Sequence, residues 1–370
     1  MSKEVTAFHQ RIILGVELEG YTISAPEFAI SRKMAFPKKG TVEKGERFSR
    51  DSSIGTEYNS RPFTTIKEGF FLLKAGLRKY NLSLYRQKRQ SRHVRQLLLV
   101  GGWRDRFAGA HIHLSIAGKK LSFEEARSFA AYFHDHIPLI IAMTANSPVW
   151  ADEITAASST RVLKGSKAYF RPIPFNGLKK RTYDEMLFNG GRKTKPPTLE
   201  LRVMDSNLPE FILAAACIFK ACALAWLRKK KIANRVPHFS YLRSRINAAK
   251  LGMSAKLCWN GRWLKAPEYL DRFIWTYREE LRQMDIPYEI WDTLKLLRKG
   301  MNGSDILLQS ITEAYKKHPP SWQRRFAKRY VSALSHLLSG NSLDDYMRRL
   351  KVKPPDLTRV TLGRKGLKLI

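Results

Sequence analysis

Glu17 and Glu19 stand in the stretch RIILGVELEG, residues 11–20. Apolar Val16 and Leu18 alternate with them, so the stretch reads as a β-strand, and a period of two puts both carboxylates on one face. Like charges on one face of a strand repel unless a cation lies between them. The same peculiarity recurs along the chain. DSSIGTEYNSRPF, residues 51–63, reads as a turn and then a strand that carries Glu57 and ends at Pro62. AGAHIHLSI, residues 108–116, sets Ala110, Ile112, Leu114 and Ile116 on one face and His111, His113 and Ser115 on the other. PPTLELRVMDSN, residues 196–207, turns Leu199, Leu201 and Val203 inward and Glu200 and Arg202 outward.

The exposed face of an antiparallel sheet normally mixes neutral and charged residues. Here the polar positions are carboxylates and imidazoles. If these strands are neighbours, one cleft collects Glu17, Glu19, Glu57, Glu200, His111 and His113, and such a cleft needs bound cations. Hard oxygen ligands with an occasional imidazole suit Mg²⁺ or Mn²⁺ better than zinc. Mg²⁺ keeps positions open for water and substrate phosphates, so the site implies a nucleotide, and arginine forks would stabilise a transferring phosphoryl group. Taken singly, an E-x-E strand is often only an exposed face, and an H-x-H pair is often structural. Their order along the chain argues for chemistry.

The elements that must hold these strands are mostly helical. Residues 65–80 show helical spacing at Ile66, Phe70, Leu73 and Leu77. Ser122 and Glu125 form a capping box that opens a helix of about 20 residues running toward Asn146. Residues 21–50 are polar and basic and read as loops or an irregular excursion. Beyond Pro209 the pattern is almost wholly helical, with one hairpin at CWNGRW, where Asn260-Gly261 suits a type I′ turn. The apolar run 208–227 has the length of a membrane span. Glu210 and Lys220 interrupt it and its small residues suit close packing, so it is expected to be a buried core helix.

With 67 Lys+Arg against 32 Asp+Glu, the 370-residue chain carries a formal charge of +35, and at 44% hydrophobic it is a globular composition. Such an excess says nothing of fold and attracts polyanions, nucleic acid foremost. The basic residues gather in residues 74–106, with ten basic and one acidic, in residues 228–250, with eight basic and none acidic, and in a tail from Lys351. No ribonucleoprotein signature or helix-turn-helix accompanies them. Cys217, Cys222 and Cys258 match no disulfide framework or zinc spacing and read as core thiols in a reducing compartment. The N-terminus has no apolar h-region, so no signal peptide is expected, and the expected location is the cytoplasm.

The motifs occur in a telling order: Glu17-Leu18-Glu19; Asp51, Glu57 and Ser60-Arg61-Pro62; His111-Ile112-His113; Asn146-Ser147-Pro148 and Ser159-Thr160-Arg161; then Thr198 to Asp205. In this order they resemble the carboxylate–amine ligases of the glutamine synthetase fold, the glutamate–cysteine ligases and amidoligases, including a phage-type branch. The resemblance covers residues 11–230. It implies an α+β fold: a curled antiparallel sheet forming a funnel-shaped active site, flanked by helices, with a mainly helical C-terminal part. It implies ATP and Mg²⁺ (or Mn²⁺) as cofactors, an acyl-phosphate intermediate, and an amide or peptide bond as product. Carried over by position, Glu17, Glu19, Glu57, His111 and Glu200 are the implied metal ligands. His113 and Arg171 are implied near the nucleotide, and Arg161 and Arg202 at the phosphate or substrate carboxylate. The expected organisation is a catalytic core over 1–230, a mostly helical region over 231–350 and a basic tail over 351–370. The substrate is expected to be small or polymer-borne, with nucleic acid or another polyanion as a partner. Two other readings use the same residues: a basic nucleic-acid-binding or virion-associated protein on an inactive ligase fold, and a phosphotransferase.

Overall fold

A computed structural model describes residues 7–31, 45–49, 54, 56–87, 94–165, 185–191 and 195–362. Asp51, Arg171, most of the basic segment 82–95 and the end of the tail lie outside the described residues or have undescribed side chains.

The strands are β1 (Ile12–Ala25), β2 (Ala29–Ser31), β3 (Arg47–Ser49), β4 (Thr56–Asn59), β5 (Val94–Leu98), β6 (Gly109–Ile116), β7 (Val149–Trp150), β8 (Glu153–Ile154), β9 (Met186–Asn189), β10 (Thr198–Asp205), β11 (Lys256–Trp259) and β12 (Arg262–Lys265). Eight of them form one antiparallel sheet in the order β3-β4-β1-β6-β10-β9, with β2 and β5 paired to the far half of β1. The two halves of β1 therefore serve different partners: Ile12–Leu18 pairs with β6, and Tyr21–Ala25 pairs with β5. The strand expected over residues 11–20 is longer, and part of the stretch expected to be loop is strand. Tyr21 and Ile23 are buried, so the apolar alternation continues past Gly20 into what looked like a polar segment.

The helices are α1 (Ile66–Gln87), α2 (Phe123–Phe133), α3 (Ile137–Thr144), α4 (Thr160–Lys164), α5 (Pro209–Leu227), α6 (His238–Leu251), α7 (Ala266–Thr276), α8 (Arg278–Gln283), α9 (Tyr288–Arg298), α10 (Gly303–Lys317), α11 (Trp322–Leu338) and α12 (Leu343–Arg349). The Ser122/Glu125 capping box is present. The long helix expected after it is broken by a 3₁₀ turn at His134–His136. Pro138 is the reason: its ring collides with the carbonyl four residues back and it brings no N–H, so a new helix begins there. Helix α5 is the most apolar element, and 89% of its most apolar window is buried inside the protein. It packs against α1, α2, α3, α8, α9 and β1, as a core helix must. Lys220 within it is almost fully buried and donates from Nζ to the carbonyls of Ile12, at 3.1 Å, and Thr64. The β11–β12 hairpin turns through Asn260 and Gly261, both at positive φ, as a type I′ turn requires.

The apolar face of the sheet, including Val16, Leu18, Ala110, Ile112, Leu114, Leu199 and Leu201, joins one buried core with these helices. The later helices reach the same core: Trp103 stacks on Phe326 at 5.1 Å between ring centroids, and Tyr330 accepts the Leu99 amide at 3.0 Å. The polar face of β1, β6 and β10 is left for chemistry.

Candidate active site

Register decides which polar side chains meet. Glu17 lies opposite His111 across β1 and β6, His113 opposite Glu200 across β6 and β10, and Glu19 opposite Glu57 across β1 and β4. Since side chains alternate across a strand, these groups converge on one face. His111 Nδ1 sits 3.5 Å from Glu17 Oε2 and 3.1 Å from Glu200 Oε1. The cation that the E-x-E strand requires is therefore, in part, the protein's own.

The electrostatics follow from that placement. Burial pushes the His111 pKa down, but its contacts with Glu17 and Glu200 outweigh burial and raise it to about 9. Burial pushes Glu17 up, and the adjacent His111 and His113 rings more than reverse this, holding its carboxyl far below the usual range. Glu200 is likewise driven up by burial and brought down, chiefly by His111, to about 2. Arg202 Nη1 reaches Glu200 Oε1 at 2.6 Å, and Asn189 Nδ2 donates to Glu200 Oε2 at 2.8 Å.

One imidazole is poised differently. His113 Nε2 lies 3.3 Å from Glu17 Oε1, within ion-pair range, but makes no hydrogen bond among the described residues, while its Nδ1 is 3.2 Å from Thr198 Oγ1. Glu17, His113 and Glu200 each offer a ligand atom, and these atoms lie within 4.8 Å of one another. Two carboxylates and a ring nitrogen without a hydrogen bond among the described residues, oriented through its other nitrogen, form a donor set that fits a divalent ion. Two other residues expected among the ligands each have one oxygen engaged within the fold. Glu19 Oε2 accepts the Gly109 amide at 2.6 Å, and Glu57 Oε1 accepts from Ser49 Oγ and Asn59 Nδ2, both at 2.6 Å.

The arginines are set by a break in the ladder. Between β10 and β6 the register shifts after Leu201 and resumes at Met204, so Arg202 and Val203 together face the single residue His111. Such a bulge frees backbone groups from the ladder and re-aims a side chain. On the other side of β10 the Arg202 amide continues the β9 register to the Glu185 carbonyl at 3.0 Å, and the Arg202 carbonyl accepts Arg161 Nη2 at 3.0 Å. Arg161 thereby lies against Arg202, across Gly109, where a Cβ would approach its Nη2 to 2.5 Å.

Asp205 holds the rest of this corner and was given no role by sequence reasoning. Its carboxylate is fully buried and accepts the Asn146 amide at 2.8 Å, Ser147 Oγ at 2.8 Å and Ser159 Oγ at 3.0 Å. Ser147 Oγ in turn accepts the Arg161 amide at 3.1 Å, and Ser159 caps α4 at the Val162 amide. Burial raises the Asp205 pKa against the opposing pull of Arg161 and these donors. The N-S-P and S-x-R stretches are visible as a motif, and in the fold Ser147 and Ser159 tie the start of α4, with the Arg161 amide, to Asp205.

No family model matches the chain, and no curated protein matches it in sequence. Solved structures do match it in shape. The complex between the prokaryotic ubiquitin-like protein Pup and its ligase PafA superposes with a TM-score of 0.57 at 12% identity, covering 94% of this chain and 81% of that one. The glutamate–cysteine ligase of Francisella tularensis in complex with AMP gives a TM-score of 0.51 at 12% identity, covering 92% of this chain and 97% of that one. A bifunctional glutathione synthetase from Pasteurella multocida gives a TM-score of 0.51 at 12% identity, covering 93% of this chain and 56% of that one. At these identities the likeness is one of fold, and the chain, with its antiparallel sheet and the helices packed on it, has the fold of the carboxylate–amine ligases of the glutamine synthetase type.

Proposed function

We propose that the chain is an ATP- and Mg²⁺-dependent carboxylate–amine ligase that makes an amide or peptide bond. The observation that carries this is the convergence of Glu17, His113 and Glu200 within 4.8 Å, with the Arg202 guanidinium against Glu200 and Arg161 directly behind it. Carboxylate ligands beside arginines suit a nucleotide triphosphate better than a neutral substrate. Glu17, His113 and Glu200 hold the metal in this reading. When bound, it supplies charge neutralisation at the phosphates. A substrate carboxylate oxygen attacks the γ-phosphorus and the bond to the β,γ-bridging oxygen breaks, releasing ADP and leaving an acyl phosphate. The amine nitrogen then attacks the acyl carbon, the acyl C–O bond breaks, and phosphate departs as the nitrogen loses a proton. Arg202 and Arg161 orient the phosphoryl group and stabilise its developing charge.

A substrate borne on a polymer is supported by the likeness to a ligase that acts with a protein, Pup. Three buried free thiols support a reducing compartment, and we place the protein in the cytoplasm. The test is a screen of carboxylates and amines for ADP release, followed by mass spectrometry of the product. ADP release that depends on an added amine, with a new amide, supports the ligase. ADP with a stable phosphorylated product and no amide supports a phosphotransferase. Nucleotide-independent binding of polyanions with no ADP under any pairing supports an inactive fold.

A further inference from the structure

The excess positive charge is not spread evenly once the chain is folded. Of the basic run at 228–231, Arg228 pairs with Glu280 at 2.9 Å, and Lys230 with Glu279 at 2.5 Å and Glu280 at 2.8 Å. Lys74 is paired with Glu210 at 2.8 Å, and Arg245 with Glu185 at 2.5 Å. These cations are occupied with structural work. On α11, Arg329 is likewise taken up by Glu313. Arg324 and Arg325, one turn earlier, and the adjacent Lys328 have no acidic partner among the described residues. They line, with Ser321 and Phe28, an open pocket of about 290 Å³ between α11 and the turn that joins β1 to β2.

Fold stability gives no reason for this grouping. Three cations at i, i+1 and i+4 repel one another. Near the start of the helix Arg324 and Arg325 also oppose its dipole, which favours acids there, and α11 has no acidic residue in its first turn. Across the pocket, Phe28 is held at φ 54°, an uncommon conformation for a bulky side chain, with its ring half-buried.

We propose that this pocket binds single-stranded nucleic acid, with phosphates on Arg324, Arg325 and Lys328 and an unstacked base against Phe28. Guanidinium forks match phosphate oxygens in pairs, and an aromatic ring offers any base a stacking face. Only an unpaired strand can turn a base face toward such a ring, and a concave site of this size accepts one unstacked base, with the flanking phosphates on the cations of its rim, and not a duplex. The site is separate from the proposed ligase centre and needs no nucleotide turnover, so the two readings stand or fall apart.

The experiment titrates the full-length protein with a fluorescent single-stranded 20-mer across a range of salt concentrations. The triple substitution R324Q/R325Q/K328Q should weaken binding at least tenfold and lower the log–log salt slope by about 2, since each single-strand phosphate contact contributes about 0.7. Phe28→Leu, which keeps an apolar side chain, should weaken binding by about fivefold or more with little change in slope, because stacking carries no charge. A control triple, K250Q/K256Q/K265Q, removes the same charge from exposed positions on α6 and the β11–β12 hairpin and should leave binding nearly unchanged. Equal loss in both triples would mean a nonspecific cationic coat and would overturn the proposal. So would tight binding of polyphosphate or anionic vesicles with oligonucleotide binding unaffected by Phe28→Leu. Thermal melts of each variant confirm that the fold is intact, since the substituted cations make no ion pair among the described residues.

Discussion

Gly109→Ala should disable the proposed active site without removing any of the groups assigned to it. A Cβ at position 109 would stand 2.5 Å from Arg161 Nη2, 3.0 Å from its Cζ and 3.2 Å from its Nε. Gly109 opens β6, a central strand of the sheet, where it pairs with Asp205 on β10, and its amide donates to Glu19 Oε2, so the backbone has little freedom to retreat. The guanidinium must yield by about 1 Å to restore ordinary contact, and the bond to the Arg202 carbonyl breaks. Misplacement of a positioning group by 1 Å costs on the order of 10²-fold in rate. Stability should move little, because the lost hydrogen bond, ~1 kcal/mol, is offset by the ~0.5–1 kcal/mol gained on replacing a strand glycine with alanine. The assay is amine-dependent ADP release, measured for wild type, Gly109→Ala, Arg161→Ala and the double variant. If the substitution acts through Arg161, Gly109→Ala will add almost nothing in the Arg161→Ala background. Activity of Gly109→Ala within twofold of wild type, or losses that multiply in the double variant, would refute the placement of Arg161 in the machinery.

Four further outcomes are expected. Glu200→Gln should abolish ADP formation, and it should also lower the melting temperature of the metal-free protein and remove its stabilisation by Mn²⁺; a variant that Mn²⁺ still stabilises would show that Glu200 is no ligand. This reverses the stabilisation that relief of carboxylate crowding suggests, because His111 and Arg202 already neutralise the carboxylates. Arg202→Lys keeps the charge but loses the fork, and kcat should fall more than about tenfold, ~1.4 kcal/mol; a smaller change would make Arg202 structural. In EDTA, the raised His111 pKa contributes stability that is complete below pH 6.5 and is lost as pH rises through about 9, so melting temperature should fall over that window in wild type and not in His111→Asn. Lys220 has the opposite sign: burial lowers its pKa to about 8, so the unfolded chain binds the proton more tightly, and stability should rise from pH 8 to 10.5. Lys220→Met should remove that rise, and an unchanged pH profile in this variant would show that Lys220 titrates normally.

The polar face of this protein is legible in its sequence because strand alternation is a local property. Glu17 and Glu19, His111 and His113, and Glu200 and Arg202 each share a face by spacing alone. The cores of α1 and α5 and the hairpin at Asn260-Gly261 are local in the same sense, being written in periodicity and turn chemistry. Spacing cannot say which strand is the neighbour of which. That Glu17 meets His111 and His113 meets Glu200 depends on the register of strands some 90 residues apart, and register is set by burial of the whole sheet. The bulge at Arg202, the clamp of Asp205 on Ser147 and Ser159, and the diversion of Arg228 and Lys230 to Glu280 are decisions of the same kind. Each joins groups far apart in the chain, and each is stable only because folding excludes water from both partners. A sequence lists the charges one by one, whereas the tertiary structure determines which of them are consumed by one another and which are left to meet a ligand.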